Sequence, residues 1–103
     1  WLEVGPGGGV LLTSLLSLGL PPSSMTACEP SPQLCSLISS RHPLVDVRPG
    51  YVEDTLDPSA PEKYDVVTML EVVEHVEPGG RRGMMERLKG AMKPGGWLFL
   101  STI

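Results

Sequence analysis

Two cysteines, Cys28 and Cys35, are all that the 103-residue chain contains, and they form no Cys-x-x-Cys pair. That scarcity argues against a disulfide framework or a structural zinc site and leaves buried thiols as the expectation. An excess of basic residues is missing too. Twelve acidic residues outnumber eight lysines and arginines, the net charge is −4, and Arg81-Arg82 is the one adjacent basic pair. No electrostatic footprint for a nucleic-acid partner is present. The longest apolar stretch, from Val10 to Leu20, is broken by Thr13, Ser14 and Ser17 and is too short to span a bilayer. No signal or transit segment is recognisable. The chain starts at Trp1 and stops at Ser101-Thr102-Ile103, with strand character at both ends. It is expected to be a piece of a longer protein: one partial domain over residues 1–103, the cofactor-binding half.

What is plentiful is punctuation: 12 glycines and 11 prolines, placed at turn positions rather than in tracts. Trp1 to Val4 reads as a strand. Leu11, Leu12, Leu15 and Leu16 fall on one helical face, and Gly19 with Pro21-Pro22 stops that helix. Ser24 to Cys28 is a second strand. Ser31 to Ser40 is a weaker helix with Leu34, Leu37 and Ile38 on one side. Leu44 to Val52 holds a third strand, interrupted by Pro49-Gly50. Tyr64 to Leu70 is a near-continuous apolar run, as in a strand buried on both faces of a parallel sheet. Met84, Met85, Leu88 and Met92 mark the inner face of a further helix. Lys93-Pro94-Gly95-Gly96 has Pro and Gly in the order of a type II turn, and Trp97 to Leu100 follows as the fifth strand. The alternation implies an α/β fold: a Rossmann-like, doubly wound, mostly parallel sheet of about five strands with right-handed crossovers. The fifth strand would leave an apolar edge, so residues 1–103 alone are expected to be marginally stable and prone to aggregation.

Leu2-Glu3-Val4-Gly5-Pro6-Gly7-Gly8-Gly9 is the most informative segment, and Glu29 follows Gly9 by twenty residues. A strand runs into a loop almost bare of side chains, then a helix, then a strand ending on a carboxylate. Glycines let backbone N–H groups approach a ligand, and the acid suits ribose hydroxyls. A dinucleotide fingerprint would need glycine at position 10, where Val10 stands. The pattern suits a ligand with a ribose and no pyrophosphate, of which S-adenosylmethionine is the obvious one. A glycine cluster alone is often only a tight turn, and a lone acid is often solvated. Together, at βαβ spacing, they favour the cofactor reading.

Glu71-Val72-Val73-Glu74-His75 follows the fourth strand directly. Were it helical, Glu71, Glu74 and His75 would share a face at i, i+3 and i+4. Two carboxylates and an imidazole suit a divalent cation such as Mg²⁺. Glutamate at a helix start is equally explained by the helix dipole, and His75 is alternatively a general base without metal. Glu53 and Asp54, ending the third strand, stand where an adenine amino group would lie, although lone acids in such a place are more often simply solvated.

In order, Leu2-Glu3-Val4-Gly5-x-Gly7-Gly8-Gly9, Tyr64-Asp65-Val66-Val67, Glu71-Val72-Val73-Glu74-His75-Val76 and Lys93-Pro94-Gly95-Gly96-x-Leu98-Phe99-Leu100-Ser101-Thr102-Ile103 resemble class I S-adenosylmethionine-dependent methyltransferases. Within these the chain is most similar to the ubiquinone-biosynthesis O-methyltransferases. The resemblance implies that Gly5, Gly7, Glu29 and Leu70 bind the cofactor and that Glu71, Glu74 and His75 bind Mg²⁺ or another divalent cation. It implies a lipid-tailed phenol or catechol as substrate, possible ubiquinone-biosynthesis protein partners and peripheral membrane contact. The implied location is the matrix side of the mitochondrial inner membrane in a eukaryote, or the cytoplasm in a bacterium. Pro6 stands where the family usually has cysteine, and Glu29 where it more often has aspartate. Gly5 is expected to take the extended shape that a following proline prefers. The Leu20 to Ser24 and Pro58 to Pro61 connections look like loop variation. The competing readings are a small-RNA 2′-O-methyltransferase and a non-catalytic scaffold.

Overall fold

The computed structural model describes residues 1–59 and 63–103, so Pro61 of the second proline-rich connection lies outside the described residues. In chain order the elements are β1 (Leu2–Val4), α1 (Val10–Ser17), β2 (Thr26–Glu29), α2 (Pro32–Arg41), β3 (Asp46–Pro49), α3 (Val52–Thr55), β4 (Tyr64–Leu70), α4 (Pro78–Ala91) and β5 (Met92–Ser101). Short 3-10 turns occupy Pro22–Ser24 and Val73–His75. Among the described residues all sheet pairings are parallel, in the order β3-β2-β1-β4-β5. The chain winds outward from β1 to β3, then returns to the other side of β1. The switch point therefore lies between β1 and β4, where ligands bind in such sheets.

Strand alternation sends successive side chains to opposite faces and builds two core layers. On one face Leu2, Val4, Val67 and Met69 pack with Met84 and Leu88 of α4. On the other, Leu12 of α1 and Ile38 of α2 cover Met25, Ala27 and Val45. Helix α2 starts as the chemistry of Ser-Pro dictates: Ser31 Oγ accepts the Leu34 N–H at 3.3 Å and Pro32 occupies the first turn. Its inner face is Cys35 and Ile38 with Leu34 half-buried, whereas Leu37 turns outward, contrary to the expected stripe. Both cysteines are free and buried, as expected.

Two strand boundaries differ from the sequence reading. The third strand ends at Pro49 instead of running to Val52, because Val52–Thr55 coils into a helical turn. The fifth begins early: Met92 pairs with Tyr64 and Trp97 with Val66, so Lys93 to Gly96 is looped out as a bulge. Gly95 at φ +79° supplies the positive φ that the third position of a type II turn demands.

Glu3, only 4% exposed, is an acid inside this apolar sheet, and neither of its carboxylate oxygens has a hydrogen-bond partner. Burial pushes its carboxyl up from 4.5 to about 7. The folded chain therefore binds this proton more tightly than the unfolded chain. Stability from Glu3 is complete below 4.5, declines as pH rises through about 7, and levels off above it. The decline is worth at most roughly 3 kcal/mol at 1.36 kcal/mol per pKa unit. Denaturant unfolding of the intact protein across this window is expected to show it, and Glu3→Gln to flatten it. A wild-type profile already flat there would contradict the assignment.

On the face not covered by α4, Trp97 and Phe99 stack at 6.3 Å and remain 66% and 52% exposed along the edge strand β5. Open apolar edges template association. Residues 1–103 prepared alone are expected to self-associate in light scattering, and Trp97→Lys with Phe99→Lys to suppress it. A monodisperse fragment with a sharp, reversible melt would show this expectation wrong.

Candidate functional site

Strand register aligns the strand ends. Val4 pairs with Cys28 on one side and Met69 on the other, so Gly5, Glu29 and Leu70 all come one residue later, at the same level. Gly5 N–H donates to Cys28 O at 2.9 Å, extending the β1–β2 ladder by one bond. Contrary to the extended expectation, Gly5 adopts φ +67°. Lacking Cβ, it escapes the steric limit a following proline sets, and a Cβ placed here would lie 2.6 Å from Val72 Cγ2.

Glu29 is 6% exposed, not a solvated acid. Its Oε1 accepts the Gly7 N–H at 3.1 Å and its Oε2 the Ser31 N–H at 2.8 Å. The carboxylate thus joins the glycine turn to the start of α2, and the helix N-terminus favours its charge. Two thiols brace this corner. Cys35 Sγ donates to Glu29 O at 3.1 Å, and Cys28 Sγ accepts the Thr55 hydroxyl at 3.0 Å. Burial pushes both thiols above their ordinary range, so neither is a ready nucleophile.

A cleft of about 510 Å³ opens at these strand ends, bounded by Gly5, Glu29, Tyr51, Glu53, Glu71, Val72 and His75, with Val4, Val52 and Met84 below. Gly7 does not line the cleft itself but is bonded to the Glu29 carboxylate that does. Of the two acids assigned to an adenine, Glu53 lines the cleft. Asp54 instead accepts the Tyr51 N–H at 3.2 Å as part of a helix cap. Both belong to α3 rather than to a strand end. Leu70, 42% exposed, lines a neighbouring groove with Glu3, Gly5 and Pro6 instead of this cleft. A larger hollow of about 680 Å³ beside Arg48, Lys63 and Arg87 includes neither the glycine turn nor Glu29.

The expected helical face of Glu71, Glu74 and His75 does not form. Glu71 stands at φ +55°, the only positive φ outside glycine among the described residues, and the 3-10 turn begins only at Val73. Such a backbone is strained for an L residue. The Glu71 N–H is held by Ser101 O at 2.9 Å. Glu74 turns toward the end of β5, where one oxygen accepts the Ile103 N–H at 3.2 Å and the other is buried without a partner. Burial pushes the Glu74 carboxyl up, but hydrogen bonds from its own backbone, Ile103 and Thr102, with the His75 charge, leave it below the usual range. Among the described residues no three His, Cys, Asp or Glu side chains are gathered to hold an ion. These residues do not fit a preformed metal centre.

Sequence reasoning missed Glu3, Tyr51 and Val72. Glu3 carried a signal, an acid between two inward-facing apolar neighbours. Tyr51 and Val72 carried none, since their roles depend on where backbone turns place them.

Comparison with known proteins agrees with this architecture. The family model described as Methyltransferase domain matches residues 2–98. The mitochondrial ubiquinone biosynthesis O-methyltransferase of Schizosaccharomyces pombe is 38% identical, with 99% of this chain aligned to 37% of that protein. The ubiquinone biosynthesis O-methyltransferase of Leptothrix cholodnii is 35% identical over 99% of this chain and 43% of its own length. The chain thus spans less than half the length of these curated relatives. Among solved structures, the SAM-bound amino pentose methyltransferase of Micromonospora echinaspora superposes with a TM-score of 0.83 at 26% identity, covering 99% of this chain and 42% of that one. With a parallel sheet whose winding order reverses beside β1, a glycine turn tied to a buried carboxylate and this family match over nearly every residue, the chain belongs to the methyltransferase domain family.

Proposed function

We propose that the cleft binds S-adenosylmethionine and that the protein to which this chain belongs transfers its methyl group to a phenolic or catechol hydroxyl of a polyprenylated ubiquinone precursor. The observation that carries the reading is the Gly7–Glu29 hydrogen bond, which brings a side-chain-free turn and a buried acid to one corner of the cleft. A carboxylate offers about four lone-pair sites, so two backbone bonds leave Glu29 able to accept ribose hydroxyls. Gly5, which lines the cleft, is assigned to the methionine portion, with Leu70 at the adjoining strand end. Glu53 is the acid we assign to the adenine end. The cleft's charge supports a cationic donor: Glu29, Glu53, Glu71 and Glu77 face it against one histidine.

The reaction is an in-line displacement. The acceptor oxygen forms a bond to the methyl carbon as the carbon–sulfur bond breaks, the sulfonium becomes a neutral thioether, and the phenolic proton leaves to a base. His75, exposed at the cleft, is our candidate for that proton. Positioning supplies much of the acceleration in such a transfer.

Divalent-metal assistance is a finer part of the proposal. Glu71, Glu74 and His75 have donor chemistry suited to Mg²⁺, and Glu74 keeps one buried oxygen unpartnered. An ion would have to draw the three together. The tailed substrate, a membrane surface or ubiquinone-biosynthesis partners to deliver it, and a mitochondrial location such as the relatives of Schizosaccharomyces pombe and Candida albicans carry in their names belong to the same proposal. Among the described residues no helix is long and apolar enough to cross a membrane. The acidic cleft disfavours the small-RNA alternative.

Calorimetry on the full-length protein is expected to show S-adenosylmethionine binding that Glu29→Ala weakens at least about tenfold, since bonds to a charged group are worth about 1.5–3 kcal/mol. Absence of binding, or indifference to Glu29→Ala, points to the scaffold reading. For the cation, chelator is expected to remove most methyl transfer and added Mg²⁺ to restore it. Unchanged turnover in chelator takes the ion out of the scheme.

A further inference from the structure

The turn after β4 meets the glycine turn after β1 through the Val72 side chain. Val72 Cγ2 stands 2.6 Å from the position a Cβ on Gly5 would take, so glycine at 5 and valine at 72 are mutually fitted. Val72 is half-buried against the core layer beneath the cleft. On its N-terminal side, Glu71 is held at φ +55° by its N–H bond to Ser101 O at 2.9 Å. On its C-terminal side, His75 N–H donates to Val72 O at 2.9 Å and closes the 3-10 turn. The segment is therefore pinned to β5 at one end and pressed onto Gly5 through a branched side chain, which has little χ1 freedom. Gly5, Glu71, Val72 and His75 all line the one cleft.

We propose that Val72 is a positioning residue that locks the donor-binding glycine turn to the Glu71–His75 turn, so that seating the donor sets where Glu71 and His75 stand toward the acceptor. The inference rests on the donor reading of the cleft given above. Strain at Glu71 belongs to the same device, since a backbone in that region persists only when its surroundings over-determine it. Without the Val72 contact, the turn keeps its tie to β5 and the packing of Val73 and Val76 on the core but loses its seat against Gly5.

The test uses the full-length protein with Val72→Ala, Val72→Ile, Gly5→Ala and the Gly5→Ala/Val72→Ala pair, reading donor Kd by calorimetry and kcat and KM separately. Val72→Ala is expected to hold donor Kd within about threefold yet lower kcat about tenfold or more, because misplacing reacting groups by about 1 Å costs up to ~10²-fold. Val72→Ile preserves the packing but crowds Gly5, and is expected to weaken the donor, which keeps the test open should Val72→Ala unfold. Gly5→Ala is expected to lose donor affinity at least about tenfold, and Val72→Ala in that background to recover part of it by removing the colliding methyl. Unchanged kcat in a folded Val72→Ala, unaltered donor affinity in Val72→Ile, or no recovery in the pair overturns the proposal. Should the wild type take up no donor, the reading of the cleft fails instead. The Gly5–Val72 contact is then judged by Tm alone: additive shifts in the pair refute it and non-additive shifts retain it.

Discussion

The Glu29 carboxylate, with Gly7 N–H on one oxygen and Ser31 N–H on the other, holds the glycine-turn end of this sheet in shape. A glycine turn has no side chains with which to fix itself, and glycine loses more conformational freedom on ordering than any other residue. Here an acid from the neighbouring strand supplies what the turn lacks. Its own cost of burial is offset because each oxygen meets a backbone donor and the first turn of α2 lies beside it. The strand order makes this possible: β2 sits directly against β1, so the end of one strand braces the end of the other.

Most of the architecture was legible in the residues because it is periodic. The apolar run of β4, the helical leucines of α1 and the type II order of Pro94-Gly95 each express one local preference with little competition. The glycine turn and Glu29 were legible for a different reason: a βαβ unit fixes their separation. What escaped the sequence was set by single dihedral angles. Gly5 took φ +67° where its proline neighbour argued for an extended shape, and Glu71 took φ +55° where its surroundings read as helix. The first accompanies the fit with Val72, and the second breaks the helical face on which Glu71, Glu74 and His75 were expected to meet. Leu37 erred by less, one position around a helix whose inner face is Cys35 and Ile38.

Two acids in adjacent parts of the sheet are buried in different company. Glu29 is buried with donors and keeps its pairing, whereas Glu3 is buried without them and has its proton affinity raised to about 7. Both lie at the root of the same turn. The glycine segment is therefore bracketed by one acid that stiffens it and another that makes the fold sensitive to pH near neutrality.

The shared level of Gly5, Glu29 and Leu70 has a genetic consequence. Because side chains alternate with a period of two, inserting or deleting one residue within β2 would turn Glu29 to the opposite face and strip the turn of its brace. Substitutions along these strands trade packing in small increments. A change of length there is all or nothing, so lineages of this chain are free to vary in the connections between strands and bound to keep count within them.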